Sequence, residues 1–226
     1  MCGRFTLAVD PSLLLKLFPG LVLPSDLVPR FNVAPTQPVL GIFGARGKHA
    51  ENFHWGLIPF WAKNKGIGAS MINARAESLA EKPAFRRAFE KRRLLIPADG
   101  FYEWRKDGKV RTPFYIRMKT GEPFAFAGVW EKWASKDAPE DAVRSASIIT
   151  VAANELVAPL HDRMPAIIPA ADFERWLDPE NEQPAALLKP YDADPMTMYE
   201  VSRVVNNANN ETPECVAPVE EEPTLF

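Results

Sequence analysis

The sequence predicts one domain of short β-strands joined by turns, with a few short helices. Three observations predict it. Twenty-two prolines are spread along the 226 residues, which fixes many turns and strand edges and argues against long helices. The apolar runs are short and bounded by Gly, Pro, Asn and Asp. No stretch in the middle of the chain has linker composition, and no internal repeat is visible. The expected layout is a domain over residues 1–218 and an acidic, disordered tail over 219–226.

The elements follow in order. Cys2 to Val9 reads as a strand. Pro11 opens a short helix with Leu13, Leu14, Leu17 and Phe18 on one face, ended by Pro19-Gly20. Leu21 to Arg30 is a loop, Phe31 to Pro38 an extended segment, and Val39 to Phe43 a strand. His54 to Trp61 packs two tryptophans, a glycine and a proline into eight residues, which suits an irregular aromatic loop. Trp55 reads as core. Trp61, beside Lys63 and Lys65, offers a stacking surface for a base. In Asn73-Ala74-Arg75 the asparagine and arginine share one side of a strand.

Phe85, Ala88 and Phe89 mark a helical face. Around them, Lys82, Arg86, Arg87, Lys91, Arg92 and Arg93 form the most basic stretch, which fits a solvated helix face at least as well as a phosphate site. Leu94 to Pro97 and Asp99 to Trp104 read as strands. A hairpin follows at Asp107-Gly108. Pro113 to Met118, Pro123 to Trp130 and Ser147 to Ala153 are further strands, with a charged loop from Lys132 to Arg144. His161-Asp162-Arg163 interrupts an apolar region before the strand Ala166 to Ile168. Helices are expected at Asp172 to Leu177 and Pro184 to Leu188, and a last strand at Met198 to Val204.

Composition narrows the function. Hydrophobic residues are 46% and charged residues 25%, ordinary for a soluble globular protein. No apolar run reaches the roughly 20 residues of a membrane span, and the start lacks a signal-peptide pattern. Cys2 and Cys215 form no disulfide framework, which fits a reducing compartment, most simply the cytoplasm. A net charge of −2 argues against a globally basic nucleic-acid binder but leaves local basic surface open. Zinc spacings, nucleotide-binding glycine loops and the Gly-x-Ser-x-Gly elbow are all absent from the sequence.

Chemistry is left to the N-terminus. Met1 precedes a small residue, so its removal would give Cys2 a free α-amine beside its thiol. That 1,2-aminothiol condenses with an aldehyde to an imine and closes to a five-membered thiazolidine. On its own Cys2 reads as an ordinary small residue. Its company changes that. Glu103 alternates with large aromatics, where a desolvated carboxylate suits proton transfer, although the pattern slightly favours a glutamate facing water. His161 titrates near neutrality, but it also fits a turn beside an Asp162–Arg163 ion pair.

In their order, Cys2-Gly3-Arg4-Phe5, Asn32-Val33-Ala34-Pro35, Trp55-Gly56-Leu57-Ile58-Pro59, Asn73-Ala74-Arg75-Ala76-Glu77, Gly100-Phe101-Tyr102-Glu103-Trp104 and His161-Asp162-Arg163-Met164-Pro165 resemble the SRAP family, the SOS-response-associated peptidases or abasic-site processing proteins. The resemblance runs from Cys2 to about Pro218. It implies an α+β fold: a single compact domain with a barrel-like, mainly antiparallel β-sheet flanked by short helices. It implies an abasic-site sensor in single-stranded DNA that forms a thiazolidine crosslink through Cys2 and shields the lesion from strand breakage. Cys2 would be the nucleophile, Asn73 would hold its amine, His161 would act on the sugar oxygen, and Glu103 would shuttle protons. Arg4, Arg75 and Arg163 would meet phosphates. Asn32, Pro35, Trp61 and Thr150 would line the strand.

The peptidase activity in the family name reads as self-removal of Met1. No cofactor or metal is expected, and nothing in the sequence demands more than a monomer. The expected location is the cytoplasm, nucleoid-associated if bacterial. One alternative is a cysteine peptidase or amidase using Cys2 as an N-terminal nucleophile. Another is a noncovalent single-strand-binding module. The end of the chain, Glu222 to Phe226, resembles a sliding-clamp docking peptide with Leu225 and Phe226 as anchors, against the simpler reading of a frayed tail.

Overall fold

The computed structural model describes residues 2–44 and 49–219. Strand β1 (Phe5–Leu7) is buried at all three positions and leads to helix α1 (Pro11–Leu17). Pro11 presets the first turn, and the Asp10 carboxylate accepts the Ser12 amide at 2.8 Å. The chain then turns at Gly20, whose φ of +81° suits glycine. Next come β2 (Arg30–Val33), β3 (Pro38–Phe43), β4 (His49–Trp55) and β5 (Asn73–Arg75). Helix α2 (Arg86–Lys91) precedes β6 (Arg93–Ala98), β7 (Gly100–Asp107), β8 (Val110–Met118) and β9 (Phe124–Trp133). The last elements are β10 (Val143–Ala152), β11 (Arg163–Pro165), β12 (Ile167–Ile168), helix α3 (Phe173–Leu177) and β13 (Met196–Glu200).

Two sheets result. One is antiparallel, in the order β13-β8-β7-β1-β2. The other closes on itself. β10 pairs with β4, β4 with β3, β3 with β6, β6 with β9, and β9 returns to β10. Of these five pairings only β10–β4 is parallel. β5 and β11 flank the C-terminal half of β10, and β12 pairs with β9. The α+β fold with a barrel-like, mainly antiparallel sheet is therefore present. Closure also removes sheet edges that would otherwise be open to pairing with another chain.

The sheets share a core. Phe5 of β1 meets Trp55 edge-on at 5.2 Å and Phe126 at 5.7 Å. Trp55 is fully buried, as expected, and its indole N–H donates to the Ile72 carbonyl at 2.9 Å. That bond ties β4 to the residue just before β5.

Several expectations shift. His54 and Trp55 end a regular strand, so the irregular loop begins only at Gly56. β4 escaped notice because His49, Glu51 and Asn52 are exposed and leave no apolar run. β9 and β10 reach further than expected and shrink the charged loop to 134–142. The last strand lies at Met196–Glu200, and Arg203–Asn206 is a short 3-10 turn capped by Ser202. The basic stretch is partly structural. Arg93 is buried and donates to the carbonyls of Phe89, Glu90, Trp176 and Asp178, joining the end of α2 to α3. Arg92 pairs with Glu131 and lies 5.4 Å from the Trp130 ring centre.

Among the described residues no helix is long and apolar enough to cross a membrane. Met1 and the tail positions Glu222, Leu225 and Phe226 lie outside the described residues.

Candidate active site

β1 places Cys2. Phe5 pairs with Phe101 and Thr6 with Gly100 across β1 and β7, and the Tyr102 amide donates to the Arg4 carbonyl at 3.0 Å. Continuing that register sets Gly3 across from Glu103, one residue from Cys2. Cys2 is fully buried. Burial, and then the Glu103 carboxylate, push its thiol well above the ordinary range, so it stays protonated at neutral pH. Its Sγ points to the Arg4 carbonyl at a long 3.8 Å.

Asn73 grips the same residue from the barrel side. Its Nδ2 donates to the Cys2 carbonyl at 2.8 Å. Its Oδ1 is buried and has no hydrogen-bond partner among the described residues. An unsatisfied amide oxygen at such a position is a ready acceptor for an amine. The β5–β10 pairing, with Asn73 beside Ile148, fixes where this amide sits.

Glu103 is 4% exposed. The reading that set it towards water is therefore corrected. Alternation assumes one wet face, but on β7 the adjacent Tyr102 and Glu103, which point to opposite faces, are both buried. Burial raises the Glu103 carboxyl above its usual range. That keeps a proton on it at pH values where an ordinary glutamate has lost it.

His161 comes just before β11. Its Nδ1 accepts the Arg163 amide at 2.9 Å, and an Asp162 carboxylate oxygen lies 2.8 Å from the same nitrogen. Nδ1 cannot accept from one and donate to the other at once. Burial lowers the His161 pKa, which favours the neutral ring. The Arg163 amide then makes Nδ1 the bare nitrogen and leaves the proton on Nε2. The Asp162 side chain is mostly exposed and gains a bond here only when the ring is protonated. As a smaller influence, the Lys106 ammonium also acts on both groups, favouring the Glu103 carboxylate and opposing the His161 imidazolium. The two share one electrostatic neighbourhood.

The expected Asp162–Arg163 pair does not form. Arg163 pairs instead with Glu77, Nη1 to Oε1 at 2.6 Å and Nη2 to Oε2 at 2.9 Å.

The residues expected along a DNA strand divide into surface and support. Trp61 is 50% exposed, Arg75 is exposed, and Pro35 is half-buried beside Thr36, whose φ is +71°. Phe60, next to Trp61, is also exposed and carries the Arg87 guanidinium 5.2 Å from its ring centre. Asn32 and Thr150 are both fully buried. The Asn32 amide donates to the carbonyls of Val205, Asn207 and Asn210, and its oxygen accepts Arg4 Nη1 at 2.6 Å. Thr150 lies beneath Arg163, 3.5 Å from its Nη2. Arg4 is half-buried and also donates to the Val205 carbonyl at 2.8 Å.

Two carboxylates in this region were not singled out from the sequence as working groups. Glu77 holds Arg163. Glu211 accepts the Phe31 and Asn32 amides at 2.6 Å each and pairs with Arg30 at 2.9 Å. Through Asn32 and Arg4, the segment after Ser202 thus braces the strand that carries Cys2. Among the described residues, no group of three or more His, Cys, Asp or Glu side chains could hold a metal ion.

The family model described as SOS response associated peptidase (SRAP) matches residues 1–208. The abasic site processing protein YoqW of Bacillus subtilis is 43% identical over 223 residues, covering 96% of this chain and 99% of that protein. The abasic site processing protein YoaM of the same organism is 42% identical, covering 95% and 96%. A crystal structure of a protein from Bacteroides thetaiotaomicron superposes with a TM-score of 0.88 at 29% identity, covering 97% of this chain and 100% of that one.

Proposed function

This chain belongs to the SOS response associated peptidase family, and from that premise we propose that it processes abasic sites in DNA by crosslinking itself to them through Cys2. Removal of Met1, the peptidase step, converts the Met1–Cys2 amide into a free α-amine. The ring-opened deoxyribose of an abasic site supplies an aldehyde. The amine adds to the aldehyde carbon to give a carbinolamine, which loses water to form an iminium ion. The Cys2 thiol then adds to the iminium carbon and gives up its proton, and a thiazolidine results. One water leaves overall, and no oxidant or metal takes part. Ring closure removes the imine that would otherwise acidify the neighbouring sugar C–H and promote strand breakage.

The observation that carries the reading is the Asn73 amide. Its nitrogen holds the Cys2 carbonyl and its buried oxygen is unpartnered among the described residues, while Glu103, whose carboxyl pKa is raised, acts electrostatically on the same Cys2. In the reaction that oxygen accepts an N–H of the freed amine and aims its lone pair. Glu103 donates a proton to the departing hydroxyl, and His161 acts on the sugar oxygen during ring opening. Arg75 and Arg163 meet phosphates and Trp61 stacks on a base, with Arg4, Asn32 and Thr150 supporting from beneath.

The test mixes mature protein with single-stranded DNA bearing one abasic site and, separately, with intact DNA. A denaturation-resistant band with the abasic strand alone is expected. No band, with loss of Met1 verified by mass, would overturn the crosslinking reading.

A further inference from the structure

We propose that Glu77 is a built-in competitor for DNA phosphate: it fills the guanidinium fork of Arg163 in the free protein and yields when a phosphate arrives. The inference rests on the DNA-binding reading above and adds the group that sets its affinity and salt response.

The geometry is the starting point. Both Arg163 terminal nitrogens meet both Glu77 oxygens, at 2.6 and 2.9 Å. This two-point fork is the arrangement in which arginine also holds phosphate. The Arg163 side chain is 11% exposed and that of Glu77 is 60% exposed. The cation is therefore seated in the protein and the carboxylate lies on its solvent side, where an incoming anion would sit. Arg163 keeps other anchors. Its Nη2 also donates to the Thr150 carbonyl on β10, and the fully buried Thr150 hydroxyl is 3.5 Å away. Removing Glu77 leaves those in place.

Glu77 itself sits in the short 3-10 turn Ala76–Ser78, directly after the exposed Arg75. Two cations thus flank one replaceable carboxylate. The hydrogen bond from Arg163 keeps that carboxylate below its usual pKa, so it remains charged throughout the neutral range. While it is there, a phosphate gains little net charge neutralisation from Arg163, and it also meets a like charge. A pair this exposed on one side is held loosely enough to be exchanged.

The experiment is equilibrium binding, by fluorescence anisotropy, to an intact single-stranded oligonucleotide that cannot crosslink. Wild type, Glu77→Gln, Arg163→Gln and the double variant are titrated at several salt concentrations. Glu77→Ala serves as a second test of the same charge. Glu77→Gln is expected to bind about three- to fivefold tighter, the range open to a pair exposed on its carboxylate side. Its plot of log affinity against log salt should steepen by about 0.7, one further phosphate on a single strand. The double variant should match Arg163→Gln alone. Equal or weaker binding by Glu77→Gln would overturn the proposal, because Glu77 would then act only to hold Arg163. A gain that survives in the double variant would also overturn it, as a general charge effect. Absence of binding by the wild type itself would instead sink the DNA-binding reading beneath it.

Discussion

Replacing Cys2 by alanine abolishes the stable crosslink but not the first encounter with the aldehyde. With Met1 removed by an aminopeptidase, which accepts the small alanine at position 2, the variant still presents an α-amine. That amine forms an imine, which hydrolyses when the protein is denatured. The expected result is a fall of the denaturation-resistant band to background, with a band recovered when borohydride is added during the reaction. Cleavage of the abasic strand should rise at the same time, because an imine that cannot close leaves the sugar C–H acidic. A short N-terminal extension that keeps Cys2 in peptide linkage has a different signature. It removes the amine as well, so neither the stable nor the borohydride-trapped band forms. The pair of results separates the nitrogen's role from that of the sulfur. It also fits the buried, protonated thiol, which adds only after the cationic iminium carbon has formed.

Glu103→Gln slows crosslinking by roughly 10²- to 10⁴-fold, the usual weight of a positioned acid or base. The amide keeps the shape of the carboxyl but cannot deliver a proton to the departing hydroxyl. The pH profile gives the sign. The Glu103 pKa is raised by burial, so its acid form persists above the ordinary carboxylate range and is lost as pH rises through the shifted value. The attacking amine works in the opposite sense, becoming competent as pH approaches its own pKa of about 8. Wild-type protein therefore shows a bell. Glu103→Gln keeps the rising limb and loses the falling one. A variant with an unchanged bell would assign the falling limb to another group. His161, neutral near pH 7 through burial, titrates on the acid side of the profile and does not replace that limb.

Cys2, Asn73 and Glu103 were legible as candidates only through the motifs that resemble the family, because on local pattern Cys2 read as an ordinary small residue and Glu103 as facing water. The orientation of Glu103 was not. Strand alternation assigns one wet face, but here Tyr102 and Glu103 on opposite faces of β7 are both buried, which depends on what packs against the sheet and not on the local pattern. Asn32 and Thr150 look like surface polar residues in sequence. Their burial depends on partners far along the chain, such as the carbonyls of Val205 and Asn210 for Asn32. Arg93 resembled its basic neighbours, yet it alone of that stretch is buried, with its guanidinium enclosed by carbonyls of α2 and α3. Glu211 is one acid in a polar segment, and nothing local links it to Phe31 and Asn32, about 180 residues earlier. Short strands bounded by proline and glycine were read well. β4 was not, because its polar exposed residues are held by pairing with β3 on one side and β10 on the other.

The most direct measurement is peptide mapping by mass spectrometry of the mature protein after reaction with an abasic oligonucleotide and digestion of the DNA. One adduct is expected, on the peptide that begins at Cys2, with the mass of the sugar remnant less one water. The Cys2 thiol should no longer react with an alkylating reagent, and borohydride should not change the adduct. An adduct on a lysine, or a Cys2 that still alkylates while the DNA is attached, would contradict the thiazolidine linkage.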